Sequence, residues 1–176
     1  MTFTEYQRYE APLGRRDELI NGEIVLSPSP NRRHQDLCIQ LQKLLDRVIS
    51  SDYVARLHTT INLGIGEGPR PDVFVIDRER WVSADEHGGY PQEGPQLVVE
   101  VKSESNSWPE LLLKKDLFLS DPGCLAVWIV DTEQRAVHLY MSVTHQMLAV
   151  GQTIFLPTAL GGDYLVVAEI VNGTVH

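Results

Sequence analysis

Asp72, Glu100 and Lys102 are the residues whose types and spacing could do chemistry: two acids remote in sequence, the second followed two positions later by an amine. Glu100 and Lys102 belong to the run Leu97-Val98-Val99-Glu100-Val101-Lys102, whose β-branched density and preceding Gly94-Pro95 mark a buried strand. Strand side chains alternate, so Glu100 and Lys102 project from one face and Val99 and Val101 from the other. Unpaired charge in a core costs several kcal/mol, so this strand needs a compensating partner: the two charges for each other, a metal ion, or a ligand. Asp72 opens a second apolar run, Asp72-Val73-Phe74-Val75-Ile76, introduced by a proline suited to the first position of a strand. If the two strands are neighbours, Asp72 and Glu100 converge on a divalent cation.

Pro71-Asp72 followed by Glu100-Val101-Lys102 matches the pattern P-D…(D/E)-X-K, and other segments fall in order around it. They are Glu18-Leu19-Ile20-Asn21-Gly22-Glu23-Ile24-Val25, then Ser27-Pro28-Ser29-Pro30 leading to His34-Gln35, then Arg70-Pro71-Asp72-Val73. Leu97 through Ser103, Lys115 with Phe118, and Trp128-Ile129-Val130-Asp131 complete the series. Taken together, the chain resembles the PD-(D/E)XK nuclease superfamily, and more closely the Uma2 family of restriction-endonuclease-like proteins. The resemblance implies an α/β (α+β) fold: a restriction-endonuclease-like core with a central mixed β-sheet flanked by helices and an N-terminal β-hairpin. It implies a metal-dependent DNA endonuclease, and it raises Glu18 as an accessory acid and His34 as a site residue. In the family a lysine on the following helix often replaces that of the E-X-K element, so Lys115, adjoining Lys114, stands beside Lys102 as the candidate amine.

Phosphodiester hydrolysis needs a nucleophile, help for the leaving group, and stabilisation of charge growing on the phosphoryl oxygens, all of which a metal can serve. Mg²⁺ (or Mn²⁺) suits the acids here, because Mg²⁺ prefers oxygen ligands, keeps several waters and is held by one or two carboxylates plus substrate phosphate. Asp72 and Glu100 are the expected ligands, with the Val101 carbonyl as a third oxygen. Lys102 is expected to position the attacking water rather than act as a simple base, since an ordinary lysine titrates near ~10.4. Two alternatives from other classes stand beside this one. One is a nuclease-fold binding or interaction module without catalysis, its charges a structural ion network; the other is a hydrolase of smaller phosphate esters.

These residues must be positioned by the elements around them. Thr2 or Thr4 is expected to cap a short helix over Glu5 to Tyr9, and Asn21-Gly22 is a strong hairpin signal between two short strands. Leu37, Leu41, Leu44, Leu45 and Val48 recur at helical spacing, predicting an amphipathic helix from about Pro30 to Ser50 with His34 in its first turn. Tyr53 to Leu57 and Thr59 to Leu63 read as strands, and Gly64 to Pro69 as a turn. Asp77 to Gln96 reads as a long polar loop, and Ser103 to Ser107 as a polar turn whose last residue caps a helix over Pro109 to Ser120. Leu125 to Asp131, Ala136 to Ser142, Gln146 to Val150 and Tyr164 to Ile170 read as strands, with Trp128 in the core.

At 176 residues the chain fits one domain, 1–176, long enough to bury a proper core. A net charge of −9 opposes general adhesion to nucleic acid or anionic membranes, although Arg15-Arg16, Arg32-Arg33 and Lys114-Lys115 group basic residues locally. Cys38 and Cys124 lack metal-ligand spacing and read as reduced, buried thiols. There is neither a signal-peptide pattern nor an apolar run of membrane-spanning length, so a cytoplasmic location is expected, and the sequon Asn172-Gly173-Thr174 carries no weight. DNA is the expected substrate, and a homodimer is expected if both strands are cut.

Overall fold

The computed structural model describes residues 1–104 and 106–172. Gly173 and Thr174 of the sequon, and Ser105 of the expected polar turn, lie outside the described residues. Thr2 caps the single-turn α1 (Phe3–Tyr6) through a capping box with Glu5. Asn21 and Gly22 take φ of 51° and 76°, the positive values a type I′ turn demands, and join β1 (Arg15–Ile20) to β2 (Glu23–Pro28) as an antiparallel hairpin. Asn31 caps α2 (Arg32–Val48) by accepting the His34 backbone N–H, which fixes where that helix begins and which way its first turn faces.

The β-branched runs form a six-stranded mixed sheet. Its strands are β3 (Tyr53–Leu57), β4 (Val73–Asp77), β5 (Leu97–Val101), β6 (Ala126–Asp131), β7 (Ala136–Met141) and β8 (Thr144–Ala149), in that spatial order. Among the described residues only β5 and β6 pair in parallel; the crossover between them includes α4 (Trp108–Leu119), capped by Ser107 with Pro109 in its first turn. The short α3 (Arg78–Ser83) precedes it, and β9 (Thr153–Phe155), β10 (Tyr164–Val166) and α5 (Val167–Asn172) close the chain. Strand alternation divides the core in two. Val73, Val75, Val99, Val101, Trp128 and Val130 pack with Cys38, Leu41, Leu45 of α2 and Ile170 of α5, whereas Phe74, Val98 and Val127 pack with Phe118 of α4. Among the described residues, no helix is long and apolar enough to cross a membrane.

Four expected elements differ. The first helix covers Phe3–Tyr6 rather than Glu5 to Tyr9, because the Thr2 capping box starts it earlier. Thr59 to Leu63 is not a strand but a loop that doubles back, Ile61 N–H donating to the Pro69 carbonyl and Leu63 N–H to that of Glu67. The Asp77 to Gln96 stretch is not all loop: the Asp77 carboxylate accepts the Glu79 and Arg80 N–H groups and nucleates α3, followed by one 3₁₀ turn over Ala84–His87. Tyr164 to Ile170 splits after Val166, because burying Val167, Ile170 and Val171 together needs helical rather than alternating spacing.

For the site, one register matters. β4 and β5 are antiparallel neighbours with Val73 opposite Val99, so continuing the ladder by one step sets Asp72 across from Glu100.

Candidate functional site

Asp72, Glu100, Glu18, His34 and Arg16 line one recess of about 520 Å³, together with Lys114. The β1–β2 hairpin and the Pro28 to Asn31 turn form one wall; α4 and the segment after β5 form the other. Asp72 and Glu100 are 3% and 2% exposed, so both acids sit at its foot.

Each acid is held by named partners. Asp72 Oδ1 accepts from Arg16 Nη1 at 2.9 Å, while Oδ2 accepts the Val101 N–H at 2.9 Å and lies 3.2 Å from His34 Nε2. Burial opposes ionisation of Asp72, but the His34 hydrogen bond and the Arg16 charge prevail and hold this carboxyl well below its ordinary range. Burial likewise opposes the Arg16 charge, and Asp72 and Glu18 more than offset it. Glu100 is in the opposite condition. Burial pushes its carboxyl up to about 8; Lys114 opposes that rise while Asp72 and Glu18 add to it. Glu100 Oε1 lies 2.8 Å from Lys114 Nζ but lacks an aligned hydrogen bond.

Lys114 ties the recess together. Its Nζ lies 2.9 Å from Glu18 Oε1 and donates to the Arg70 carbonyl at 3.2 Å, and that carbonyl also accepts from Arg16 Nη2 at 2.6 Å. Glu18 Oε1 in turn accepts the Arg70 N–H at 2.6 Å. Burial disfavours the ammonium, yet Glu100 and Glu18 raise its pKa above the ordinary lysine value, so Lys114 is charged. Behind Asp72, His34 continues a chain to Cys38, with Nδ1 and Sγ 3.6 Å apart.

The other two sequence candidates lie elsewhere. Lys102 does not join Glu100. Its N–H continues the β6 ladder to the Val130 carbonyl, past the end of β5, and its Nζ lies against Glu133 Oε2 at 3.1 Å and 3.9 Å from Asp131 Oδ2. Lys115 pairs with Asp116 and lies over the Tyr140 ring. The amine that reaches Glu100 is the neighbour, Lys114, because it follows the buried Leu111 by three positions and so shares the inward face of α4. Arg16 is two residues before Glu18 on β1, and alternation puts both on one face. That spacing was readable; the pairing with Asp72, remote in sequence, was not.

Whether the acids fit a hard cation is decided by spare lone pairs. A carboxylate offers about four acceptor positions, and Asp72 uses three, leaving one on Oδ1. The Val101 carbonyl accepts a long 3.4 Å bond from Asn106 Nδ2, and Glu100 Oε1 has the Lys114 ammonium nearby without an aligned hydrogen bond. These are oxygen donors of the kind Mg²⁺ takes. A tighter cluster exists in His34, Cys38 and Asp72, whose ligand atoms lie within 4.8 Å of one another. Its N/S/O set favours a softer metal than Mg²⁺.

A family model, Uma2, described as a putative restriction endonuclease, matches residues 3–168. Among solved structures, the chain is similar to a putative nuclease belonging to DUF820 from Anabaena variabilis ATCC 29413, at 17% identity and a TM-score of 0.83 over 98% of both chains. At that identity the likeness establishes the fold. No curated protein matches the chain.

Proposed function

Because the chain belongs to the Uma2 family, we propose that it is a metal-dependent DNA endonuclease with its site in the recess between the β1–β2 hairpin and α4. The observation that carries this reading is the burial of two acids and one charged amine at the foot of a single recess, set opposite each other by the β4–β5 register. Asp72, Glu100 and the Val101 carbonyl would hold Mg²⁺ or Mn²⁺, which when bound supplies Lewis-acid stabilisation of charge on the phosphoryl group.

The chain's own residues do the rest. Arg16 and His34 keep Asp72 ionised and fixed in orientation. Lys114, charged and anchored on Glu18 and the Arg70 carbonyl, presents its ammonium to a phosphoryl oxygen or an incoming water. In this reading Lys114 takes the role that the E-X-K pattern would give Lys102, and Glu18 is its accessory acid. Burial excludes bulk water and strengthens these electrostatic contacts.

A second reading is a binding module that retains the fold without catalysis. What favours it is that Arg16 and Lys114 already neutralise acids in the recess, on a chain of net charge −9. Nicking of supercoiled plasmid in Mg²⁺ or Mn²⁺ separates the two. Relaxed product is expected from wild type and lost in D72N, E100Q and K114M; DNA binding without relaxed product from folded wild type would leave the binding module.

A further inference from the structure

His34 and Cys38 stand four residues apart on α2, so both side chains leave the same helix face one turn from each other. Asp72, just ahead of β4, comes to that face from the sheet. His34 Nε2 is 3.2 Å from Asp72 Oδ2, and His34 Nδ1 is 3.6 Å from Cys38 Sγ. Among the described residues, no other set of three His, Cys, Asp or Glu side chains brings one ligand atom from each within 4.8 Å of the rest. Glu18 and Glu100, close as they are to Lys114, do not belong to it.

A tetrahedral ion with bonds of about 2.0–2.3 Å to nitrogen, oxygen and sulfur holds those ligands ~3.3–3.7 Å apart. The two separations above are close to that span. Since an ion takes one ring nitrogen, the three ligand atoms together must draw in by about 1 Å, within reach of small χ adjustments. The hydrogen bonds that join them do not fill the position, because they run through protons that an ion replaces. At Cys38 the S–H bond breaks, a sulfur–metal bond forms, and the proton leaves to solvent; coordination deprotonates a thiol outright. Cys38 is fully buried, but His34 and Asp72 line the recess, which gives an ion its path and a water the fourth position.

Imidazole, thiolate and carboxylate together suit Zn²⁺ and ions like it, whereas the oxygens of Asp72, Glu100 and Val101 suit Mg²⁺. Both sets need Asp72. With the Arg16 guanidinium fixed on Oδ1 at 2.9 Å, one carboxylate has little charge left to neutralise two dications at once. We propose that His34, Cys38 and Asp72 form a site for Zn²⁺ or a similar borderline ion, and that its occupation takes Asp72 from the hard cation and switches the recess off. Only the switching rests on the nuclease reading; the binding does not.

The test uses the full chain, freed of metal and titrated with Co²⁺, which reports thiolate ligation by a sulfur-to-cobalt charge-transfer absorption in the near ultraviolet. One equivalent of Co²⁺ with that band is expected, and Zn²⁺ should displace it. C38S should lose the band, with C38A as the second variant should serine disturb the core; Cys124 remains in both and serves as the internal control. H34A and D72N, each lacking one ligand, should weaken Co²⁺ binding by more than about tenfold, the loss that even an outer-shell partner produces. E100Q should keep the band. Equimolar Zn²⁺ should stop Mg²⁺-supported plasmid nicking by wild type and not by C38S, each measured against its own rate without Zn²⁺. Co²⁺ bound without the band, a band that survives in both C38S and C38A, or Zn²⁺ inhibition as strong in C38S as in wild type would each overturn the proposal. A Cys38-dependent band in a chain that nicks no plasmid would keep the metal site and remove the endonuclease; Mg²⁺-supported nicking without the band would do the reverse.

Discussion

Replacing Glu100 by glutamine should stabilise this protein, and increasingly so as pH rises. The carboxyl is 2% exposed and burial pushes its pKa from 4.5 up to about 8. Between those values the folded chain keeps a proton that the unfolded chain has released, so stability is greatest below pH 4.5 and falls as pH rises towards 8. The slope is about 1.4 kcal/mol per pH unit, so by pH 7 the loss is about 3 kcal/mol. Against a typical total stability of about 5–15 kcal/mol that is a large fraction. Glutamine has nearly the shape of the neutral acid and no proton to lose, and Lys114 keeps Glu18 as its partner. E100Q is therefore expected to match wild type near pH 4.5 and exceed it by about 3 kcal/mol at pH 7. Asp72, held below its ordinary pKa, loses stability in acid instead, but does so in both proteins and cancels from the difference. Urea unfolding followed by tryptophan fluorescence at a series of pH values in EDTA measures it. A gap that does not grow with pH, or a wild type more stable than E100Q at pH 7, would refute a Glu100 carboxyl that burial keeps protonated.

The same network yields further expectations. K114M strands Glu18 without its cation and should destabilise by about 3 kcal/mol in urea unfolding at pH 7, whereas K102A, whose amine meets the exposed Glu133 and lies 3.9 Å from the buried Asp131, should cost about 1–2 kcal/mol and leave plasmid nicking intact. Mg²⁺ should raise the wild-type Tm in scanning calorimetry, more at pH 8 than at pH 6 because binding displaces the Glu100 proton, and D72N should abolish the rise. Away from the recess, G94A would put a Cβ 2.6 Å from the Asp121 side chain and should cost about 1–3 kcal/mol in the same unfolding measurement, partly restored in G94A/D121A.

Much of this molecule was written locally. The Asn21-Gly22 hairpin, the heptad-like leucines of α2, the Ser107 cap and the valine-rich β4 and β5 each carry their own turn chemistry or periodicity, so these elements were legible without coordinates, while the mixed sheet that joins them followed from the family resemblance. Asp72 and Glu100 announced themselves as acids inside apolar runs, which burial makes expensive unless something answers them. What answers them was not local. Lys102 satisfies the motif in sequence, yet the end of β5 and the parallel run beside β6 carry its amine to Asp131 and Glu133, while helical spacing from Leu111 turns Lys114 inward. Arg16 and His34 meet at Asp72 from two different elements, a contact that only the packing of β1 and α2 around the Arg70 to Asp72 segment creates. Residue type and period decide which side chains are costly to bury; the assembled sheet and helices decide which opposite charge arrives to offset that cost.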